Sequence, residues 1–388
     1  MRVLIYILAF WLAVLPVYSI ENAAEQNDIY FNEVLEENGE VSIQTHEKTL
    51  KEKLADIYNL EVTQTDTPVF LMDEIWTKHF DSSSPLEKIH FGSGYTANWG
   101  MIFSDDSVRN RYEFNAISPF VEGIFKDNKA DFKLMVRFSP MSSMNMMQYL
   151  VSDAYVGINT IPHHRVQLGS FRPPVGVEGM ESTYTLPFMT RSQLGRTLGN
   201  TRKFGARLKG NYSLVDYDIG GYSSDTFWRE FFPGGEFIGW VNLKPLGLTD
   251  GRYGKLTVGG GIQSGHRNNT YTVTSAYLGY AYKKLKLDFE WANASGYNGF
   301  QTTSTDKHAG GLVATASYKI TPKVQVVARY DEFDSDKNAR RNTNRECSFG
   351  INYFIKGQAL KLVLNYVFVQ NKLTKDSHRI LFGTQLLL

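Results

Sequence analysis

The chain has 388 residues and an almost balanced charge, with a formal net charge of +1. It contains one cysteine, Cys347, which excludes an intramolecular disulfide framework and a cysteine-based metal cluster. Behind the first residues, no run of about 18 apolar residues occurs, and this excludes a protein that crosses a membrane with helices.

The first 24 residues predict a signal peptide. Arg2 supplies a positive start, and Val3 to Val17 form an apolar run that is short for a membrane span. Cleavage is expected near Ser19 or Ala24, and a retained N-terminal anchor is the alternative. The chain is therefore expected to be exported.

The next segment, residues 25–87, predicts an acidic periplasmic extension. Residues 21–87 carry 16 acidic and 4 basic side chains, whereas residues 88–388 carry 24 acidic and 36 basic ones. Low apolar content predicts that the extension is partly disordered or a short helix, with a folded plug as the alternative. The basic side chains of residues 88–388 would concentrate anions if they lined a lumen. They would contact lipopolysaccharide or water if they lay in external loops.

Residues 88–388 consist of short alternating segments, and the connections between them are alternately short and long. In Leu285–Trp291, for example, apolar side chains alternate with Lys286, Asp288 and Glu290, which is typical of a strand between lipid and water. The pattern predicts an all-β fold: a transmembrane antiparallel barrel of about 16 strands in a bacterial outer membrane. A charged connection is expected at Asp105–Arg111 and an aromatic loop at Asp225–Gly235, and residues 295–310 lie between two further expected strands.

One interruption is much longer than the others. Alternation stops at Arg172-Pro173-Pro174 and resumes at Phe204. A long, partly apolar loop between two strands is uncommon and usually functional. We therefore expect the loop, about residues 173–201, to fold into the barrel and narrow the lumen.

Basic residues of this loop and of the inward strand phase are the candidate anion-binding residues. A ring of arginine or lysine at a constriction favours anions and phosphate through charge and forked hydrogen bonds. Acidic residues in the same phase make the wall mixed. For Glu178 and Arg191 the alternative role is a structural ion pair that attaches the loop to the wall. The candidates are Lys133, Arg137, Arg172, Arg191, Arg196, Arg202, Lys203, Arg207 and Arg329.

The segment Val166–Glu178 resembles the strand-into-loop motif of the phosphate-selective porin O and P family. The segment that begins at Phe188 is similar to the family's aromatic-x-x-Arg-Ser pattern, which places Arg191 on the family arginine. Gly350–Phe354 and Leu364–Val367 resemble the closing strands. The matching motif positions are Gly169, Phe171, Arg172, Pro174, Gly176 and Glu178.

The resemblance implies a sixteen-stranded porin, usually trimeric, through which phosphate or other small anions, polyphosphate among them, diffuse passively. Pro173, Pro174, Gly176 and Glu178 are expected to position the loop. The expected partners are inorganic anions, outer-membrane lipid and lipopolysaccharide, and no nucleic acid or cofactor is expected.

An enzyme is not expected. The Gly-x-Ser-x-Gly nucleophile motif is absent, and no nucleophile motif accompanies the eight histidines. The adjacent His163 and His164 would point to opposite faces of an extended chain, which disfavours a shared metal. We therefore predict no catalytic or metal residues, and the other hypotheses are a weakly selective general porin and a surface-binding barrel.

Overall fold

The computed structural model describes residues 36–37, 40–41, 76–104, 107–138, 151–199, 201–224, 232–299, 302–339, 342–371 and 376–388. The chain divides into two units, residues 1–56 and 57–388. In the first unit, Glu36–Glu37 pairs antiparallel with Glu40–Val41. The predicted signal peptide and most of the predicted extension lie outside the described residues. No helix among the described residues is long and apolar enough to cross a membrane.

The second unit contains a closed antiparallel barrel, which confirms the predicted sixteen-stranded architecture. Each strand pairs with its neighbours in sequence, and the last strand pairs with the first, from Ser377 opposite Ser104 to Leu387 opposite Gly94. The strands are β1 (Leu86–Ser104), β2 (Ser107–Phe125), β3 (Ala130–Val136), β4 (Val151–Ile158), β5 (His164–Phe171), β6 (Lys203–Asn211), β7 (Val215–Ser223), β8 (Gly235–Leu243), β9 (Lys255–Arg267), β10 (Asn269–Tyr282), β11 (Leu285–Gly299), β12 (Thr302–Thr321), β13 (Val324–Asp334), β14 (Thr343–Lys356), β15 (Leu360–Asn371) and β16 (Ser377–Leu387).

Some strands are longer than the alternation predicts. β1 and β2 pair up to Ser104 and Ser107, so the expected connection Asp105–Arg111 is mostly strand. β11 and β12 likewise continue into residues 295–310. Part of the predicted extension also joins the sheet, because Thr77–His79 pairs with β1. Where both faces of a hairpin are polar, backbone hydrogen bonds still pair the two strands. The sequence there lacks the apolar–polar alternation from which a strand is predicted.

The two faces of the wall follow the alternation. On β11, Leu287, Phe289 and Trp291 are exposed on the outer face, whereas Glu290 between them is buried. In a membrane, the outward side chains contact lipid, and the inward polar groups contact water or other polar groups.

Candidate functional site

The long connection between β5 and β6, residues 172–202, is called the inner loop. It contains two short helices, α1 (Val177–Met180) and α2 (Gln193–Thr197). Ser192 is the N-cap of α2, and its hydroxyl accepts a hydrogen bond from the Gly195 N–H at 3.0 Å. Helices of this length are not stable by themselves, so their conformation depends on contacts with the wall.

Apolar side chains of the inner loop pack against inward residues of the wall. Leu194 of α2 and Leu198, the residue after α2, belong to a buried cluster with Tyr271, Tyr297 and Phe333. In α1, Val177 packs in a second cluster with Trp240 and Tyr277. Burial of these side chains stabilises the inner loop inside the barrel.

Hydrogen bonds join the inner loop to strands on several sides of the barrel. Glu290 of β11 accepts from the Val177 N–H at 3.1 Å. Asn365 of β15 accepts from the Met189 N–H at 2.9 Å. A segment that contacts inward groups on strands so far apart must lie in the lumen. Further bonds run from Asn352 to the Pro187 carbonyl, from Lys361 to the Leu186 carbonyl and from Gln385 to the Thr183 carbonyl.

Four arginines lie near each other on one side of the inner loop: Arg137, Arg172, Arg191 and Arg202. We call them the arginine cluster. Arg202 forms a two-pronged contact with Asp153 of β4, at 2.8 and 3.2 Å. Among the described residues, no carboxylate lies within 4.0 Å of the other three guanidinium groups. The cluster therefore carries more positive charge than its neighbouring acid neutralises.

The pKa shifts of the loop arginines reflect this crowding. Burial lowers the pKa of Arg172 well below its usual range, and the charges of Arg202 and Arg191 lower it further. Burial likewise lowers the pKa of Arg191 to about 10, although Glu178 acts in the opposite direction. In addition, Arg172 Nε is buried without an acceptor among the described residues. An anion at this position would supply the missing negative charge and hydrogen-bond acceptor.

The other five candidate bases do not belong to the arginine cluster. Each of them contacts a carboxylate, so its charge is paired. Lys203 lies 2.6 Å from Glu236, and both are buried. Arg196 pairs with Glu346 at 2.7 Å. The remaining pairs are Lys133 with Glu122 at 2.7 Å, Arg207 with Asp218 at 3.0 Å and Arg329 with Asp331 at 3.2 Å.

A structural ion pair to the wall is formed by Glu178 and, among the described residues, not by Arg191. Arg191 instead donates to the backbone carbonyls of Glu178 and Glu181. The Glu178 carboxylate lies 3.2 Å from Arg329 of β13 and also accepts from Ser192. Glu178 thus attaches the inner loop to the wall through Arg329.

The four residues expected to position the inner loop all lie at its start. Pro173 and Pro174 are buried, and the Pro173 carbonyl accepts from the Val175 N–H at 2.9 Å. Gly176 has a φ of +71°, and a Cβ there would collide with Glu290 Oε1. Only glycine adopts this conformation without strain while leaving space for that carboxylate.

Sequence reasoning did not include the amides that hold the inner loop. Asn352, Asn365 and Gln385 are buried and donate to, or accept from, the loop backbone. Their positions on the inward faces of β14, β15 and β16 could have indicated this role from the sequence. A buried amide near a strand centre needs a hydrogen-bond partner, and the inner loop provides it.

A comparison with protein families finds a match to the family described as phosphate-selective porin O and P, over residues 247–386. The resemblance inferred from the sequence is therefore confirmed for these residues, which include the closing strands. The inner loop lies outside the matched range. No curated protein matches the chain by sequence.

Several solved outer-membrane porins share the fold. The outer membrane channel DcaP of Acinetobacter baumannii has 11% identity and a TM-score of 0.58, covering 80% of this chain and 99% of its own. OmpF of Salmonella typhi in complex with daunomycin has 12% identity and a TM-score of 0.57, covering 78% and 98%. The anion-selective porin from Comamonas acidovorans has 12% identity and a TM-score of 0.54, covering 77% and 99%.

At these identities the structural likeness concerns the fold. The family match, the barrel and its apolar outer face together place the protein in the bacterial outer membrane as a porin-type β-barrel.

Proposed function

We propose that the protein is an outer-membrane channel for passive diffusion of small anions, phosphate and polyphosphate among them, and that the arginine cluster sets this preference. The observation that carries the proposal is the gathering of Arg137, Arg172, Arg191 and Arg202, of which only Arg202 forms an ion pair, with Asp153, among the described residues. Catalysis forms no part of the proposal, because the fold and the matching family are those of channels.

The physical argument rests on charge and hydrogen-bond geometry. Guanidinium groups present planar forks that match phosphate and carboxylate oxygens in pairs. Where a loop narrows the lumen, the field of several like charges is screened less than on an open surface, and counter-ions are concentrated there. An anion is therefore expected to enter the constriction more readily than a cation of the same size.

Reversal potentials in planar bilayers test the proposal. Under a potassium chloride gradient, the purified protein is expected to give anion-selective steps that added phosphate blocks. Arg172→Gln should lower the anion-to-cation permeability ratio by about twofold to fivefold, the scale of one partly screened charge. Arg252→Gln, which removes an exposed arginine of the β8–β9 connection, is the matched control and should leave the ratio unchanged.

A weakly selective general porin is the second candidate. The observation that favours it is that six of the nine candidate bases contact carboxylates, so much of the lumenal charge is neutralised. In that case the wild-type ratio would be close to one and Arg172→Gln would not change it. A surface-binding barrel would instead give no conductance steps.

We also propose a homotrimer whose outer face contacts lipid and lipopolysaccharide. The support is the porin fold together with the apolar side chains exposed around the wall. The mass of the protein extracted in mild detergent tests this assembly, and a monomeric mass would contradict it.

A further inference from the structure

An apolar groove crosses the outer face of the wall between β9 and β14, and we call it the outer groove. Its volume is about 500 Å³. Its lining follows two neighbouring rows of the sheet: in one, Ala316 pairs with Leu287 and Ala328, and in the other, Ala314 pairs with Phe289. The groove lies where these short side chains stand among larger ones, which are Leu278, Tyr280, Leu287, Phe289, Tyr330 and Phe349.

The outer groove lies near one end of the barrel, the end that carries the short β10–β11, β12–β13 and β14–β15 turns. Tyr280 is three residues from Lys283 in the first of these turns, and Tyr330 is six residues from Val324, where β13 begins. A strand rises about 3.3 Å per residue, so the lining begins about 10 Å from the turns and reaches about 20 Å along the tilted strands. This depth matches one leaflet of a bilayer, which contributes about 15 Å of hydrocarbon.

Lysines gather at the same three turns. Residues 280–287, 316–327 and 352–363, which contain the turns, together carry seven lysines and no acidic residue. Two of the seven, Lys286 and Lys361, contact the inner loop inside the barrel. Exposed lysines of the turns are Lys283, Lys284, Lys323 and Lys356. The turns next to the outer groove therefore carry positive charge that acids of the same turns do not balance.

Tyrosines lie between these lysines and the outer groove. Tyr280 lines the groove, and its hydroxyl donates to the Tyr253 carbonyl at 3.0 Å. Lys283 Nζ lies 5.1 Å from the centre of the Tyr282 ring. Girdles of aromatic residues mark the two interfaces of a membrane barrel. The lysines are thus at the level of lipid headgroups, and the groove is at the level of acyl chains.

From this arrangement we propose that the outer groove binds an anionic phospholipid. An acyl chain occupies the groove, and the phosphate contacts the lysines of the β10–β11 and β12–β13 turns. Lysines close to a membrane surface attract anionic lipid. The short turns of outer-membrane barrels face the periplasm, so the lipid belongs to the periplasmic leaflet. A second copy of the chain is the competing occupant, and repulsion between two such sets of lysines disfavours it.

Native mass spectrometry of the purified protein tests the headgroup contact. The protein is mixed in detergent with equal amounts of phosphatidylglycerol, which is anionic, and phosphatidylethanolamine, which has no net charge, with identical acyl chains. The wild-type protein should retain more phosphatidylglycerol. Lys283→Gln/Lys284→Gln should lower the ratio of the two retained lipids by about fivefold to tenfold. Lys126→Gln/Lys129→Gln, at the β2–β3 turn, is the matched control and should leave the ratio unchanged.

Ala316→Phe tests the acyl-chain contact, because it fills the outer groove with an apolar side chain. It should cause a loss of retained phosphatidylglycerol, whereas Ala276→Phe, at an exposed alanine of β10 that does not line the groove, should not. An unchanged ratio in Lys283→Gln/Lys284→Gln, or an equal fall in both lysine pairs, overturns the proposed site. Dissociation of an oligomer by Ala316→Phe with unchanged lipid retention also overturns it, since the groove would then be a contact between copies.

Discussion

At the residue scale, the site depends on positions where a buried carboxylate contacts the backbone of the inner loop. Gly176 has a left-handed φ of +71°, and its missing side chain gives Glu290 room to accept from α1. The sequence marked this glycine through a motif resemblance. Its physical reason, the approach of a carboxylate from β11, is visible only in the folded chain.

Gly176→Ala tests this reading. The alanine would add the strain of a backbone conformation that is essentially restricted to glycine, about 1–3 kcal/mol, and a collision with Glu290. Gly251→Ala is the matched control, because Gly251 has a φ of +72° and open space around it, so strain alone is added. Urea unfolding followed by tryptophan fluorescence should show a larger loss of unfolding free energy for Gly176→Ala. Equal losses would mean that the contact with Glu290 contributes nothing.

At the element scale, the inner loop is ordered by the wall rather than by its own propensity. Its helices span four and five residues, below the length at which a helix is stable alone. Side chains of β14, β15 and β16 bond to its backbone carbonyls, and apolar clusters hold its helices. The conformation of the inner loop should therefore respond to changes in the wall.

Lys361→Met tests this dependence. Lys361 is 1% exposed and donates to the Leu186 carbonyl at 2.7 Å, so methionine keeps the volume and loses the bond. We expect larger fluctuations of the open-channel current, because the inner loop has lost one attachment. Lys323→Met, an exposed lysine between β12 and β13, is the control. Identical current noise in the two variants would contradict a holding role for Lys361.

At the scale of the whole molecule, the barrel is a closed sheet with lipid outside and polar groups inside. Closure leaves no unpaired edge, which a strand inside a membrane requires. Apolar outward residues such as Phe289 of β11 are exposed because their contacts are with lipid rather than with protein.

Phe289→Arg should lower the unfolding free energy in lipid vesicles by about 2–4 kcal/mol, the cost of an arginine near the middle of a bilayer. Phe289→Leu keeps the outer face apolar and should cost much less. Denaturant titration of vesicle-inserted protein measures both values. A similar cost for the two variants would show that this face does not contact lipid.

The sequence alone determined the number of strands, their order and the faces they present. These properties follow from a two-residue period that each strand carries by itself. It also located the inner loop, since Arg172-Pro173-Pro174 ends the alternation, and it named the four members of the arginine cluster among nine candidates. The predicted strands ended too early at some hairpins, because the apolar–polar alternation disappears where both faces of the hairpin are polar.

Only the tertiary structure decided which charges remain unpaired. Arg329 and Glu178 are separated by 151 residues, and Arg196 and Glu346 by 150, yet each pair is in contact. Such pairing depends on where the inner loop crosses the lumen, which apolar packing and wall amides determine together. Sequence cannot supply this result, because burial and Coulomb energy depend on distances in space and not on positions along the chain.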